Sequence, residues 1–120
     1  SLKQRLNSNE LERLIQVEAL LLKDFSVAPP TIEKLSKKCA MSATKFKNEF
    51  KNLYGAPVYE YFQKNRMAKA KSLLLEGGYT SKEVGMMVGY SNLSHFAAAF
   101  KKEYSISPSD LLSKNLKSSR

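Results

Sequence analysis

Apolar residues recur along most of this chain at the three- and four-residue spacing of amphipathic helices. The first run covers residues 9–25 and stops before Pro29 and Pro30, which cannot continue a helix. A second run starts at Thr31, a residue type suited to capping a helix N-terminus. The third run covers residues 43–53, where Ser42 is suited to cap the helix and Gly55 to end it. The inner faces of these three predicted helices are Leu11, Leu14, Ile15, Leu21, Leu22 and Phe25 (with Glu18 as a polar exception); Ile32, Leu35 and Cys39; and Phe46, Phe50 and Leu53.

The second half of the chain continues the helical pattern. A long helix is predicted over residues 57–76, with a basic outer surface formed by Lys64, Arg66, Lys69 and Lys71. The T-x-x-E spacing of Thr80 and Glu83 predicts a capping box at the start of a shorter helix. A helix with two phenylalanines follows, and a closing helix starts near residues 107–110. The Lys- and Ser-rich tail, residues 113–120, is predicted to be disordered. The chain is thus predicted to be all-α, with seven helices and no strand.

The same pattern occurs twice. Residues 35–42 match residues 84–91 at an offset of 49 positions, and residues 46–54 match residues 96–104 at an offset of 50. The change of one residue falls where a loop would absorb it. Two short helices joined by a tight turn are the outline of a helix-turn-helix unit. The repeat therefore predicts two such units in tandem, in a homeodomain-like arrangement.

These elements define the predicted organisation of the chain. Residues 9–56 form the first helix-turn-helix unit, residues 57–76 the linker helix, and residues 77–112 the second unit, followed by the tail. No low-complexity segment or long linker divides the chain further. The length suits one domain, or two very small ones that share a helix.

The net charge of +9 is unevenly distributed. Residues 1–30 hold four basic and four acidic side chains, whereas the remaining residues hold sixteen basic and seven acidic ones. The whole excess therefore lies in residues 31–120, which contain the two repeats. A polyanion is the natural partner for such a surface.

Composition excludes several other classes of protein. The 42% hydrophobic content is enough for a core, no apolar run is long enough to span a membrane, and no secretory signal is visible. Cys39 is the one cysteine, so no internal disulfide can form, and it is expected to be a small buried apolar residue. A reducing, cytoplasmic setting fits these features.

Two segments carry a family resemblance. Residues 84–108 read V-G-x-x-V-G-Y-S-x-x-S-H-F-x-x-x-F-K-K-x-Y-x-x-S-P, and upstream stand F-K-N-L-Y-G and Y-F-Q-K-N-R-M-A-K-A. This pattern resembles the AraC (AraC/XylS) family of bacterial transcription regulators, over about residues 9–112. The resemblance implies a module that binds double-stranded operator or promoter DNA, with recognition helices in two adjacent major grooves. It also implies contact with RNA polymerase and an N-terminal effector or dimerisation domain for which this chain has no room.

The sequence departs from the family pattern at four positions. Gly85 stands where alanine is usual, Ser81 where isoleucine is usual, and Leu112 where arginine is common. Ser105 replaces a glycine at the end of the second recognition helix. It must either adopt a left-handed backbone conformation or end the helix differently.

The resemblance assigns base contacts to outward residues of the recognition helices. In the first unit these are Thr44, Lys47 and Asn48, whose side chains suit thymine, guanine and adenine. In the second unit Ser94 and Ala98 occupy such positions but have little hydrogen-bonding capacity. We therefore expect the first unit to carry most base readout and the second to add mainly phosphate contacts and shape reading.

Phosphate contacts are assigned to basic residues around the same helices, namely Lys45, Lys51, His95, Lys101 and Lys102. The single histidine has no partners at ligand spacing, so no metal site and no cofactor are predicted.

Three alternatives stay open. An enzyme needs a nucleophile, an acid–base pair or a metal set, and no such constellation is present. A single-stranded RNA binder exposes aromatic residues, but the phenylalanines here occupy inward positions. A helical module that docks an acidic protein is the most serious rival. A DNA-binding module should bind duplex DNA in a salt-dependent way and bind one specific site more tightly, whereas a module that docks an acidic protein should not.

Overall fold

The computed structural model describes residues 6–118, and the regular secondary structure of this part of the chain is helical, without a strand. The predicted all-α fold with seven helices is confirmed. The helices are α1 (Ser8–Leu21), α2 (Ile32–Lys38), α3 (Ala43–Tyr54), α4 (Val58–Glu76), α5 (Ser81–Met87), α6 (Leu93–Tyr104) and α7 (Pro108–Ser118).

The chain folds into two compact units that divide within α4. The first unit contains the described residues up to Lys23 together with Pro29–Phe62, and the second contains Asp24–Ala28 and the residues from Gln63 onward. The sequence placed residues 24–28 in the first unit. The structure assigns them to the second because Phe25 packs against the second unit's core.

The core of the first unit is built around two phenylalanines of α3. Phe46 and Phe50 are fully buried, and the ring of Tyr61 meets Phe50 edge-on with the centroids 5.4 Å apart. The Tyr61 hydroxyl donates a hydrogen bond of 2.5 Å to the Glu18 carboxylate. This bond explains the acidic residue on the inner face of α1. Other buried apolar residues of this core are Leu14, Val17, Leu21, Leu35, Cys39, Ala56, Val58 and Phe62.

Cys39 is fully buried, as predicted. Burial raises the pKa of its thiol, which disfavours the thiolate and its reactivity. Its backbone carbonyl accepts a 3.0 Å hydrogen bond from the Arg13 side chain. Cys39 therefore has a structural role at the end of α2.

The core of the second unit repeats this plan. Phe96 and Phe100 of α6 are fully buried, with their ring centroids 5.9 Å apart. They pack with residues of α4, of α5 and of the turn that follows α5, namely Met67, Ala70, Leu73, Leu74, Val84 and Val88.

The two helix-turn-helix turns share one backbone geometry. Ala40 and Gly89 both have positive φ, at 54° and 94°, as their alignment in the repeat implies. Four residues separate α2 from α3, and five separate α5 from α6, so the extra residue lies in the second turn. It lies before the helix cap, because Asn92 caps α6 where Ser42 caps α3. The offset of 49, which pairs Ser42 with Ser91, is therefore wrong by one residue at this position, because Ser42 corresponds to Asn92.

The predicted helix starts are confirmed in detail. The side chain of Thr31 accepts a hydrogen bond from the Lys34 amide, and that of Ser42 accepts one from the Lys45 amide. Thr80 and Glu83 form both hydrogen bonds of the capping box. Local side chain to backbone bonds of this kind depend only on spacing, which is why the sequence predicts them.

One predicted helix end and three predicted inner-face positions are wrong. α1 ends at Leu21 rather than at residue 25, and the Asp24 side chain turns the chain by accepting hydrogen bonds from the Ser26 amide and hydroxyl. Leu11, Ile15 and Leu53 were placed on inner faces, but they are 38%, 51% and 42% exposed. The buried residues of α1 are Leu14 and Leu21, as predicted, together with Val17, which was not placed on the inner face.

The tail prediction also needs correction. α7 continues to Ser118, so residues 113–118 are helical where disorder was predicted, and residues 119–120 lie outside the described part. Ser107 caps this helix by accepting a hydrogen bond from the Asp110 amide. No glycine or proline follows Pro108, so nothing in the sequence ends the helix earlier.

The ends of the two recognition helices provide a matched stability test. Gly55 and Ser105 both have a left-handed conformation, with φ of 82° and 61°. Replacing Ser105 with glycine should raise the free energy of unfolding by about 1 kcal/mol, because glycine adopts this conformation without steric cost. Gly55→Ser should lower it by a similar amount, since open space surrounds Gly55 and only the backbone conformation changes. Urea denaturation of both variants measures the effect, and equal stability of all three proteins would contradict it.

Candidate nucleic-acid interface

The recognition helix of the first unit presents one polar face to solvent. Phe46 and Phe50 are buried against the unit, which leaves the opposite side of α3 exposed. Thr44, Lys47 and Asn48 all lie on that exposed side, where the sequence placed them. Ser42 holds the start of the helix. Donors and acceptors therefore project together from a rigid element, as base readout requires.

Lys45 already has a partner within the first unit. Its ammonium group lies 2.6 Å from a carboxylate oxygen of Glu10 on α1, while the other oxygen of Glu10 accepts a hydrogen bond from the Asn7 amide. The hydrogen bond from Lys45, followed by that from Asn7, lowers the pKa of Glu10. Lys45 can contact a phosphate only in competition with this carboxylate.

The ion pair leads to a prediction for DNA affinity. Glu10→Gln should raise affinity for duplex DNA about two- to fivefold, because it removes a competing surface charge. The dependence of log K on log salt should steepen by about one as Lys45 engages a phosphate. Glutamine can keep the hydrogen bond to the Asn7 amide, so α1 stays capped. Fluorescence anisotropy over a salt series measures both quantities, and an unchanged affinity and slope would mean that Lys45 does not reach the DNA.

The recognition helix of the second unit presents a different surface. Ser94, His95 and Ala98 are exposed, as is Leu93 at the first position of α6. The Asn92 side chain accepts a hydrogen bond from the His95 amide, which fixes the start of the helix. The outward face of α6 thus has fewer hydrogen-bonding side chains than that of α3, and it carries the apolar residues Leu93 and Ala98.

The remaining predicted phosphate contacts are also exposed. Lys51 lies in the last turn of α3, and Lys101 and Lys102 lie in the last turn of α6. Sequence reasoning did not single out Lys37 and Lys38, the exposed pair in the last turn of α2. Comparing the two repeats position by position would have found this pair, since the second repeat has methionines there.

A polar cluster holds the turn of the second unit. The Arg66 guanidinium lies 4.2 Å from the centre of the Tyr90 ring, and it donates hydrogen bonds to the Tyr90 hydroxyl and to the Gln63 side chain. Gln63 also donates to the Tyr90 hydroxyl. The sequence assigned Arg66 to an outer basic surface of the long helix. That interpretation is wrong, because Arg66 is partly buried and positions the turn that precedes α6.

Neither a membrane segment nor a metal cluster accompanies these features in residues 6–118. None of the helices there is both long and apolar enough to cross a membrane. That part of the chain also holds no group of three or more side chains suited to a metal ion.

Comparison with known proteins identifies this architecture. A family model described as a helix-turn-helix domain matches residues 35–114. A solved AraC-type DNA-binding transcriptional regulator from Chromobacterium violaceum superposes with a TM-score of 0.75 at 18% identity, covering 91% of this chain and 96% of that one. The chain belongs to the AraC family.

Two further similarities support the family assignment. The AraC-family chain is 32% identical over 80 residues to the HTH-type transcriptional regulator AlkR of Acinetobacter baylyi. That match covers 67% of this chain but only 26% of AlkR, so the chain spans about a quarter of this longer relative. The DNA-binding domain of AdpA, solved in complex with a target DNA, has the same fold, with a TM-score of 0.75 at 22% identity over 85% of this chain and 91% of that one.

The family assignment confirms the coarse functional prediction. The chain is an AraC-type DNA-binding domain, and its family and structural neighbours are transcription regulators rather than enzymes. The finer assignment of base and phosphate contacts to individual residues stays a prediction.

Proposed function

We propose that this chain binds specific double-stranded DNA sites as the DNA-binding module of a bacterial transcription regulator. In this proposal α3 and α6 enter two adjacent major grooves of one duplex. The observation that carries it is the polar outer face of α3, where Thr44, Lys47 and Asn48 project from a capped helix. The charge excess of residues 31–120 supplies the attraction to a polyanion.

The first unit carries most of the base readout in this proposal. Lysine can donate to guanine O6 and N7, asparagine can pair with adenine, and threonine can offer a hydroxyl or a methyl group. Lys51, together with Lys45 once it leaves Glu10, contacts phosphates. The lysine pair at the end of α2 extends this phosphate-binding surface.

The second unit contributes mainly phosphate contacts. Lys101, Lys102 and His95 are exposed and suited to donate to phosphate oxygens. Ser94 and Ala98 face the bases without forming a bidentate hydrogen-bonded pair. For the whole regulator, an effector or dimerisation domain and RNA polymerase remain proposed partners, drawn from the family resemblance.

A salt titration tests the proposal against a surface that merely attracts acidic partners. Affinity for random-sequence duplex DNA should fall linearly with salt on logarithmic axes, with a slope of about −0.9 per phosphate contacted. Poly-glutamate serves as the matched polyanion. Equal affinity for poly-glutamate and duplex DNA would favour the protein-docking alternative and contradict the proposal.

A further inference from the structure

The two recognition helices differ at nearly every outward position. The repeat aligns five positions of α3 with five of α6 at an offset of 50, and these face solvent or are partly exposed in both helices. The pairs are Ala43 with Leu93, Thr44 with Ser94, Lys47 with Ala97, Asn48 with Ala98, and Lys51 with Lys101. Hydrogen-bonding side chains in the first unit are replaced by alanines in the second, while a larger apolar residue appears at the start of the helix.

The helix before each turn shows the same exchange. Lys37 and Lys38 at the end of α2 correspond to Met86 and Met87 at the end of α5, which are 59% and 41% exposed. Helices α2 and α3 together contain six lysines and two glutamates, whereas α5 and α6 contain three lysines and two glutamates. The second unit therefore attracts phosphates less strongly than the first, and its contact surface is more apolar.

Leu93 is the most prominent part of this apolar surface. It is 46% exposed at the first position of α6, and the Asn92 cap fixes the backbone on which it stands. Ala97 lies four residues later on the same side of the helix, and Ala98 lies beside it. Covering this exposed apolar side chain with a ligand would remove apolar surface from water and so stabilise the complex.

The major groove contains one apolar group that can cover such a surface. The C5-methyl group of thymine projects into the groove, and alanine and other apolar side chains contact it directly. The alanines at positions 97 and 98 leave room for the helix to approach the bases closely. Lys101 continues the same face and can hold the adjacent phosphate, which favours a duplex over an acidic protein as the occupant.

We propose that the second unit reads its half-site through thymine methyl groups, contacted by Leu93 with Ala97 and Ala98. This inference rests on the proposed DNA-binding function and gives the second unit a chemical selectivity of its own. Its half-site is a sequence rich in methyl-bearing pyrimidines, recognised without hydrogen bonds to base edges. Leu93 is the residue that determines this preference.

Replacing thymine with uracil tests the inference, because uracil lacks only the methyl group. The probe is a duplex selected for binding to this chain, and the second unit's half-site is the half whose base preference is unchanged in Lys47→Ala. Uracil at the contacted positions of that half should weaken binding about fourfold for each methyl group removed. Leu93→Ala should bind the thymine and uracil duplexes with more nearly equal affinity, and its thermal melt should show that it folds.

Lys101→Ala is the matched control, since it should weaken binding to both duplexes while keeping the difference between them. Equal binding of the thymine and uracil duplexes by the unchanged protein would overturn the inference and leave the proposed function standing. A thymine preference that persists undiminished in Leu93→Ala would also overturn it, because the unit would then sense DNA shape. If no duplex is selected at all, the proposed function itself fails.

Discussion

Replacing Gly89 with alanine is expected to lower the free energy of unfolding by about 3 kcal/mol or more. Gly89 has φ of 94°, where a side chain is strained. A Cβ atom built there would lie 2.4 Å from the backbone carbonyl oxygen of Phe25. The backbone fixes the position of a Cβ atom, and the oxygen it would meet belongs to the main chain, so a rotamer change cannot relieve the clash. Circular dichroism during urea denaturation measures the loss.

The first unit provides the control for this substitution. Ala40 occupies the equivalent turn position with φ of 54° and already carries a Cβ atom. Ala40→Gly should therefore be neutral or stabilising by up to about 1 kcal/mol. If the free energy of unfolding of Gly89→Ala lies within about 1 kcal/mol of that of the unchanged protein, residues 24–28 do not pack against the turn of the second unit.

The second large effect is expected on DNA binding. Lys47→Ala should cost about 1–3 kcal/mol of binding free energy and relax the preference at one base position. The reason is that a lysine on the exposed face of α3 can donate to both acceptors of a guanine, and alanine cannot. Competition binding against single-base variants of a selected site measures both the affinity and the preference.

Lys101→Ala is the matched comparison in the second unit. It should weaken binding about equally on all sequences and reduce the salt slope by about one, as expected for a phosphate contact. Lys47 and Lys101 are both exposed lysines on recognition helices, so a difference in their effects reflects their roles. A change of sequence preference in Lys101→Ala, or none in Lys47→Ala, would contradict the assigned roles.

Local features of the fold were predictable from the sequence. Thr31, Ser42 and the capping box of Thr80 were identified because each depends on a bond spanning three residues. Gly55 was identified because few residues other than glycine adopt its conformation readily. The repeat also correctly paired the turn positions Ala40 and Gly89, whose backbone conformations agree.

Features that depend on distant residues were not predictable in the same way. The helical spacing could not decide between Ile15 and Val17 as the buried position of α1, because the direction of the core is set by other helices. Phe25 was read as the end of α1, whereas its packing against the second unit's core depends on tertiary structure.

The candidate interface shows the same limit. The exposed positions of Thr44, Lys47 and Asn48 followed from the buried phenylalanines, which fix the opposite face of α3. The ion pair between Glu10 and Lys45 joins residues 35 positions apart, and the sequence contains no local signal for it. The contact between Arg66 and Tyr90 is similarly non-local, since these residues are 24 positions apart.

We propose that the two similar helix-turn-helix units read DNA unequally. Selection of binding sites from a random pool of duplex DNA, with this chain alone at physiological salt, tests this inequality directly. We expect a motif with one sharply defined half and one weaker, thymine-rich half about one helical turn away (roughly 34 Å). Two equally sharp halves would contradict the unequal roles, and binding without any enriched sequence would contradict specific recognition itself.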